Sequence, residues 1–421
     1  MKIAVVGSGG REHALLWRLA RDAGTRELYA LPGNGGTEGL ARSIPVDTND
    51  TAALRSALRS IAPDLAVIGP EVPLAAGIAD QLLIDGIPCF GPVAAAARIE
   101  ASKAFSKLLM RKHGIPTADF EIFEDYAKLE SFVHSQPEGN CWVVKADGLA
   151  AGKGAYVCTS LKETLQTAHD LLVEKKLGGA GVTVVLERKL AGREVSALYL
   201  CDGKDYIALP PAQDYKRAED GDRGPNTGGM GTFCPAAHLT PAMQQDVERT
   251  IIEPTLRALA EDAAPYRGVL YAGLMLTADG PQVIEFNCRF GDPETQVILP
   301  VLKGDFAKTL LACAEGKLSV AGAHSLATSG AAVCVVLAAE GYPEHYRKSI
   351  PLRDAADTDH AVTFHAGTVR KDGALLSSGG RVLNAVGLGA TMADARRNAY
   401  EFAEQLRVPG LRFRSDIAAG V

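Results

Sequence analysis

Residues 284–296 read IEFNCRFGDPETQ. The apolar run Val269-Leu270-Tyr271 and the turn Asp279-Gly280 come before them, so the stretch opens as a strand. Side chains alternate across a strand. Glu285, Asn287 and Arg289 therefore share one face, and Ile284, Phe286 and Cys288 the other. The first face carries two hard oxygen ligands and one fixed cation. Oxygen ligands at that spacing suit Mg²⁺, which takes a carboxylate or two and completes its shell with phosphate oxygens. A planar guanidinium beside them suits a carboxylate or a phosphate. Such a face is fitted to moving a phosphoryl group.

The rest of the chain sets the frame for that face. Its 421 residues hold about three domains at roughly 150 residues each. A hydrophobic content of 47% with 22% charged residues is that of an ordinary globular protein. A net charge of −6 argues against a nucleic-acid or membrane-surface partner, which would call for a basic stripe. The apolar run at 331–339 is too short to span a bilayer. The N-terminus runs from a strand into a glycine turn and carries no secretory pattern. The eight cysteines form no Cys-x-x-Cys pair and read as small buried hydrophobes in a reducing cytosol. The nine histidines show no zinc spacing.

From residue 1 to about 100, strands (2–6, 27–31, 65–68, 88–90) alternate with helices (12–23, 51–61, 74–85). Repeated βα units imply a parallel sheet with helices on both faces, and ligands at the carboxyl ends of its strands. The turns 7–10, 32–36 and 69–71 fall at those ends. A helix over 102–112 leads into a mixed region with strands at 141–145, 155–158 and 182–187 and a helix at 161–175. A polar, glycine-rich loop is expected over 210–231, then a helix over 241–262 and strands at 268–277 and 282–287. Residues 315–329 read as a linker. Beyond it lie strands at 331–338, 361–366 and 381–387 and a helix at 392–406.

Two glycine loops bear on phosphate binding. Gly7-Ser8-Gly9-Gly10-Arg11-Glu12 joins the first strand to the first helix, where amides and the helix N-terminus favour an anion. Glu12 stands at the place of the third dinucleotide glycine, and no acid ends the second strand, so a single phosphate fits better than a dinucleotide. A tight turn with no ligand fits the same residues; Arg11 favours the phosphate. The second loop, 145–154, is KADGLAAGKG. It has three residues before Gly152-Lys153 and no Ser or Thr after them, so it is not a P-loop. A glycine flap over a triphosphate, with Lys145 as a point charge, and a plain surface hairpin both fit it. In 187–194, ERKLAGRE, one carboxylate closes a strand and another opens the next, with a connection whose backbone can face an adenine. Strand ends that are only solvated give the same pattern.

Together these residues resemble the ATP-grasp enzymes and, among them, the phosphoribosylamine–glycine ligase family. The likeness runs through GSGGREHAL near the start, GPEVPLAAGI at 69–78, VVKADGLAAGKG at 143–154, LPPAQDYKRAEDGDRGPNTGGMG at 209–231, IEFNCRFGDPETQ at 284–296 and AVCVVLAAEGYP at 332–343. It implies a multidomain α/β and α+β fold: an N-terminal parallel α/β domain (1–101), an ATP-grasp main lobe (102–123 plus 191–326), a flap lobe (124–190) and a small mixed C-terminal domain (327–421). It implies ATP as the nucleotide, held by Lys103, Lys145, Gly148, Gly152, Lys153, Gly154, Glu187, Leu190 and Glu194. Glu285 and Asn287 match the family's pair of ligands for Mg²⁺ or Mn²⁺, and Arg289 its arginine at the transferred phosphoryl group. Glycine is expected at Asp214, Arg289, Gly291 and Asp292, and 5-phosphoribosylamine at Gly9, Gly10, Arg11, Glu12, Pro70 and Glu71. The partners implied are these small molecules, with no nucleic acid and no membrane, in a cytoplasmic monomer or weak homo-oligomer. The sequence departs from the family pattern twice. Ala101 replaces a glycine, and the strand GVLYAGLML (268–276) carries none of the metal carboxylates that many relatives place there.

The implied chemistry explains the opening strand. Phosphorylating a carboxylate with ATP brings two anions together. Unit charges 4 Å apart repel by about 4 kcal/mol at an effective dielectric near 20, and a doubly charged phosphoryl group by roughly twice that. A metal bridging phosphate oxygens, with Lys145 and Arg289, can offset this. Two other readings compete. An ATP-grasp carboxylase or formyl transferase lacks a use for the 209–231 segment, and a dinucleotide oxidoreductase lacks its third glycine at Glu12.

Overall fold

The computed structural model describes residues 1–137, 139, 141–149, 154–319 and 326–421. The first strand, Lys2–Gly7, is the centre of a five-stranded parallel sheet. The spatial order is Arg42–Ser43, Glu27–Pro32, Lys2–Gly7, Leu65–Ile68, Cys89–Phe90. Ile3, Ala4, Val5 and Val6 are all fully buried, as expected of a strand covered on both faces. Helices Thr51–Ile61 and Gly10–Leu19 pack on it, and the strand ends bring Gly7, Pro32 and Gly69 to one edge. The helix expected over 74–85 is two, Glu71–Ala75 and Ile78–Ile84, because Gly77 takes a left-handed conformation (φ +83°). Helix Ala94–Ala101 has no clear apolar stripe and escaped sequence reading.

The main lobe is built on an antiparallel sheet ordered Tyr206–Ala208, Arg193–Asp202, Arg267–Thr277, Gly280–Asn287. Gly273 pairs with Glu285 and Leu274 with Val283, so Ile284 bulges out of the ladder. The bulge leaves the Ile284 carbonyl free to accept a hydrogen bond from Lys145 Nζ at 2.8 Å. The strand stops at Asn287, and Cys288 and Arg289 turn away in a bend. The helix expected over 241–262 contains a π turn at Glu248–Ile252, which accommodates Pro254 and its missing N–H donor.

A smaller sheet, Phe120–Phe123, Val184–Arg188, Trp142–Ala146 and Ala155–Val157, carries helices Tyr126–His134 and Leu161–Leu172. It has its own core around Leu129, Trp142, Val144, Val184 and Leu186. The C-terminal sheet is ordered Gln213–Asp214, Gly231–Cys234, Ala331–Ala339, Arg381–Gly389, Ala361–His365, with Leu411–Arg412 on the far end of Ala331–Ala339 and helix Met392–Leu406 behind. The segment expected to be a loop over 210–231 is therefore a folded ribbon. Its ends enter this sheet, and Arg217–Glu219 pairs with Arg223–Asn226 between them. Such short strands have no readable alternation, and the strand that anchors Gly231–Cys234 is about a hundred residues away. In the expected linker, Ala327–Thr328 pairs with Leu302–Lys303, and 320–325 lie outside the described residues. Six cysteines are buried, whereas Cys141 is exposed and Cys89 partly so. No helix among the described residues is long and apolar enough to cross a membrane.

The C-terminal sheet rests on the first domain. His13 Nδ1 accepts the N–H of His365 at 2.9 Å, and Asn34 Nδ2 donates to the carbonyls of Ser8 (2.9 Å) and His365 (2.8 Å). Burial lowers His13 to about 3, with His365 adding to the effect, and burial lowers His365 to about 4. Both rings are thus neutral when folded and bind protons near the ordinary value of 6.5 when unfolded. The unfolded chain holds more protons in that window, so this interface contributes stability above pH 6.5 that is lost as pH falls toward 4. Thermal melts of His13→Gln, which keeps a neutral acceptor, should show a shallower fall in Tm over this range than the parent chain; an equal slope refutes the assignment.

Candidate active site

Glu285 is the centre of the site. It stands on the main-lobe sheet opposite a glycine, Gly273, and its carboxylate makes no direct hydrogen bond or ion pair among the described residues. Burial would raise its pKa, but Lys216, Lys145, Lys103 and Arg289 outweigh it and hold the carboxylate below its ordinary value. Four cations from four separate segments thus converge on one carboxylate.

Each arrives by a local device. Lys103 opens helix Lys103–His113, capped by Ser102, whose hydroxyl accepts from Phe105 N–H at 3.0 Å. Asp147, at the root of the glycine hairpin, accepts from Ser102 Oγ (2.9 Å) and Ala104 N–H (2.6 Å). That joint brings Lys103 and Lys145 together. Lys103 Nζ has no partner among the described residues. Lys145 ends the buried strand Trp142–Ala146 and pairs with Glu187 at 2.9 Å. Gly148 lies against Ala180, where an added Cβ would come within 2.9 Å, and the Gly154 carbonyl accepts from Ala146 N–H at 2.8 Å. Gly152 and Lys153 lie outside the described residues.

Glu187 bridges Lys145 and Lys107, each at 2.9 Å, and Lys107 also donates to Thr117 Oγ1 at 2.6 Å. Burial, only partly opposed by Glu187, lowers Lys107 to about 8. Beyond the strand, Leu190 takes no backbone hydrogen bond from the described residues. Glu194 pairs with Lys216 at 2.8 Å. Asp214 and Lys216 are alternate residues of the ribbon. Burial, with Glu294 and Glu194 nearby, pushes Asp214 up to about 7, while Lys216 is pushed well above its ordinary value by Asp214, Glu194, Tyr271 and Glu285 against the opposing effect of burial. Glu294, almost fully buried, accepts from Tyr271 Oη (2.6 Å) and Ser196 Oγ (3.1 Å). Gly291 fits only as glycine, since a Cβ would come within 2.5 Å of Glu294 Oε2 and 3.0 Å of the Tyr271 ring.

Arg289 joins the main lobe to the N-terminal domain. Its guanidinium pairs with Glu100 (2.8 Å) and Glu71 (3.3 Å) and donates to Asn287 Oδ1 (3.2 Å). Burial would lower its pKa, but the two carboxylates raise it. Pro70 caps the short helix that carries Glu71, and Arg289 and Arg11 hold Glu71 below its ordinary value against burial.

The glycine turn at the N-terminus is partly closed by the protein's own side chains. Glu12 accepts from Gly9 N–H at 2.6 Å and pairs with Arg11, and Arg11 also donates to the Phe290 carbonyl at 3.0 Å. Arg11 N–H goes to Asp292 Oδ2 at 3.3 Å, and Gly10 is pressed against Asn384 and Gln296. The amides of Gly9 and Arg11 are thus met by the protein's own carboxylates, the first in a capping box with Glu12 three residues after Gly9. Asp292, expected beside glycine, has both oxygens engaged: Oδ2 by Arg11 N–H, Oδ1 by Gln296 Nε2 (2.9 Å) and Arg381 (3.3 Å). It is a junction between domains.

The donors suit a hard cation. Glu285 and Asn287 give two oxygens on one face, and no group of three His, Cys, Asp or Glu able to hold a metal exists among the described residues. Such a pair leaves most of the shell to phosphate oxygens and water, which is how Mg²⁺ binds. Sequence reading missed Lys107, Lys216, Glu100 and Glu294. Lys107 lies one helical turn from Lys103 and Lys216 two residues from Asp214, so spacing could have found both. Glu294 stands inside the opening motif. Glu100 reaches Arg289 across 189 residues and left no local signal.

A cluster of cations between a main lobe and a small hairpin lobe, around a carboxylate–amide pair, defines an ATP-grasp enzyme. Residues 1–100, 101–295 and 332–420 match the N domain, the ATP-grasp (A) domain and the C domain of phosphoribosylglycinamide synthetase. A phosphoribosylamine–glycine ligase from Ralstonia nicotianae is 47% identical over 419 residues, covering 99% of this chain and 98% of that one. The crystal structure of a phosphoribosylamine–glycine ligase from Thermotoga maritima superposes with a TM-score of 0.86 at 36% identity, covering 99% of this chain and 100% of that one. The biotin carboxylase domain of a Hydrogenobacter thermophilus 2-oxoglutarate carboxylase, at 15% identity and a TM-score of 0.76 over 98% of this chain and 91% of that one, shares the fold alone. The chain belongs to the phosphoribosylglycinamide synthetase family.

Lys107 sets a pH limit. Its depressed value means that it is charged below about 8 and neutral above, so Glu187 loses a counter-cation as pH rises through that point. The KM for ATP should rise from about pH 7.5 to about pH 9.5 in the parent enzyme and stay flat in Lys107→Arg, whose guanidinium does not titrate there. Parallel profiles for the two proteins would refute this.

Proposed function

We propose that the chain joins glycine to 5-phosphoribosylamine at the cost of ATP, giving glycinamide ribonucleotide, ADP and phosphate through a glycyl phosphate, as a cytoplasmic step of de novo purine biosynthesis. The observation that carries this reading is Glu285: a carboxylate without a direct partner among the described residues, on which the fields of Lys216, Lys145, Lys103 and Arg289 all act. Such a set of cations suits two anions brought together, a triphosphate and a substrate carboxylate.

Lys103 and Lys145 face the phosphates, with Gly148 and Gly154 at the root of the flap, and Gly152 and Lys153 belong to the same nucleotide-binding set. Glu187, set by Lys107 and Lys145, flanks the adenine side, the backbone of Leu190 serves the adenine edge and Glu194 the ribose. Glu285 and Asn287 would hold Mg²⁺ or Mn²⁺, which when bound neutralises phosphate oxygens. A glycine carboxylate oxygen attacks the γ-phosphorus, and the bond to the β-bridging oxygen breaks. Arg289 stabilises the charge on the transferred group. The phosphoribosylamine nitrogen then attacks the acyl carbon, phosphate leaves and the amine loses a proton. Asp214, pushed up to about 7, takes the glycine ammonium, with Glu294 behind it packed against the Cβ-free Gly291. Asp292 fixes this loop. Pro70 and Glu71 line the phosphoribosylamine side next to Arg289, while Gly9, Gly10, Arg11 and Glu12 give that pocket its shape. The glycine-rich stretch 146–154 and the segment 212–231 serve as its lids against water.

Glycine-dependent ADP formation with phosphoribosylamine generated in situ tests the reading; no stimulation by glycine refutes it. Arg289→Ala should lower turnover by about 10²–10³-fold or more while nucleotide binding stays nearly intact. Turnover within a few-fold of the parent would remove Arg289 from the chemistry.

A further inference from the structure

Arg381 opens strand Arg381–Gly389 of the C-terminal sheet, yet its guanidinium leaves that domain. Nη1 donates to the carbonyls of Gly228 (2.5 Å) and Asp292 (2.8 Å) and lies 3.3 Å from Asp292 Oδ1. The guanidinium lies flat against Gly228, where a Cβ would come within 3.0 Å of Cζ. Each carbonyl belongs to a loop that carries part of the site. Next to Gly228, Thr227 donates its N–H and its hydroxyl to the Lys216 carbonyl, both at 2.8 Å, and its Oγ1 accepts from Gly229 N–H at 3.0 Å. Lys216 is the residue whose ammonium meets Glu194 and faces Asp214 and Glu285. Asp292 lies between Arg289, held by Glu71 and Glu100, and Glu294, held by Tyr271 and Ser196.

We propose that Arg381 is a positioning residue for the ligation: one guanidinium of the C-terminal domain fixes the Asp214–Lys216 ribbon and the Arg289–Glu294 loop relative to each other. This rests on the reading that glycine is activated between those two loops. An acyl phosphate held between loops that part would meet water, so loss of Arg381 uncouples ATP use from ligation. Water then attacks the acyl carbon and returns glycine and phosphate.

The test compares Arg381→Ala, Arg381→Lys and Arg370→Ala in the full chain. Arg370 ties the same domain to the Gly35 carbonyl at 3.0 Å and touches neither loop, so it reports plain loosening of the interface. Arg381→Ala should raise the KM for glycine about tenfold or more and the ADP-to-product ratio above one, with the KM for ATP within about twofold. Arg381→Lys should fall between, and Arg370→Ala should match the parent. A glycine KM and a ratio within about twofold of the parent in Arg381→Ala, or the same defects in Arg370→Ala, would overturn the inference. If Arg381→Ala does not fold, Arg381→Lys faces the same threshold. If the parent shows no glycine-dependent ADP formation, the functional reading itself fails. Amide exchange at 227–230 then decides on the linkage alone: faster in Arg381→Lys supports it, unchanged overturns it.

Discussion

Cations cannot be gathered in a half-buried cleft without counter-charges, because an unpaired buried charge is far more costly than a paired one. That constraint shapes the whole site. Lys145 and Lys107 share Glu187, Lys216 leans on Glu194 and Asp214, and Arg289 is divided between Glu71 and Glu100. Each group of charges closes on itself, so the fold itself holds these cations in place. The exceptions are Glu285 and Lys103, which have no direct partner among the described residues. They are where an outside charge has most to gain, and both lie where the two lobes meet.

The same pairing welds the domains. Arg289 sits just past the main-lobe strand, Glu71 at the edge of the parallel sheet and Glu100 near the end of the helix between them. Burial raises Glu100 even as Arg289 lowers it, whereas Arg289 and Arg11 hold Glu71 below its ordinary value, so the arginine is held by two carboxylates shifted in opposite directions. A grip of that kind fixes the guanidinium in space without cancelling all of its field. Asp292 does the equivalent for the backbone, accepting from the first domain through Arg11 and from the C-terminal domain through Arg381.

Much of this was legible in the chain, for definite reasons. Thr51–Ile61, Leu65–Ile68 and Met392–Leu406 have the expected bounds because their periodicity is strong and their caps are local. Glu285 and Asn287 share a face because alternation survives beyond the bulge at Ile284. At the glycine turn, an N-terminus open to a phosphate and one capped by its own Glu12 look alike in sequence until the side chain is seen. The Gly9-x-x-Glu12 spacing was the available clue. The ribbon at 209–231 was unreadable for a different reason. Its strands are too short to show a period and exist because the C-terminal sheet pairs with them.

That last point changes what the C-terminal domain is for. A ribbon with no core of its own takes its shape from whatever it is bonded to. Here Gly231–Cys234 pairs with Ala331–Ala339, and Met230 exchanges backbone bonds with Tyr215 and Val336. The positions of Asp214 and Lys216 are thus inherited from a sheet that contributes neither Glu285 nor Arg289. A domain whose own sequence shows no phosphate-type motif still governs where the charged ribbon stands. Its strands belong to the same mechanical unit as the opening motif, even though they lie at the other end of the chain.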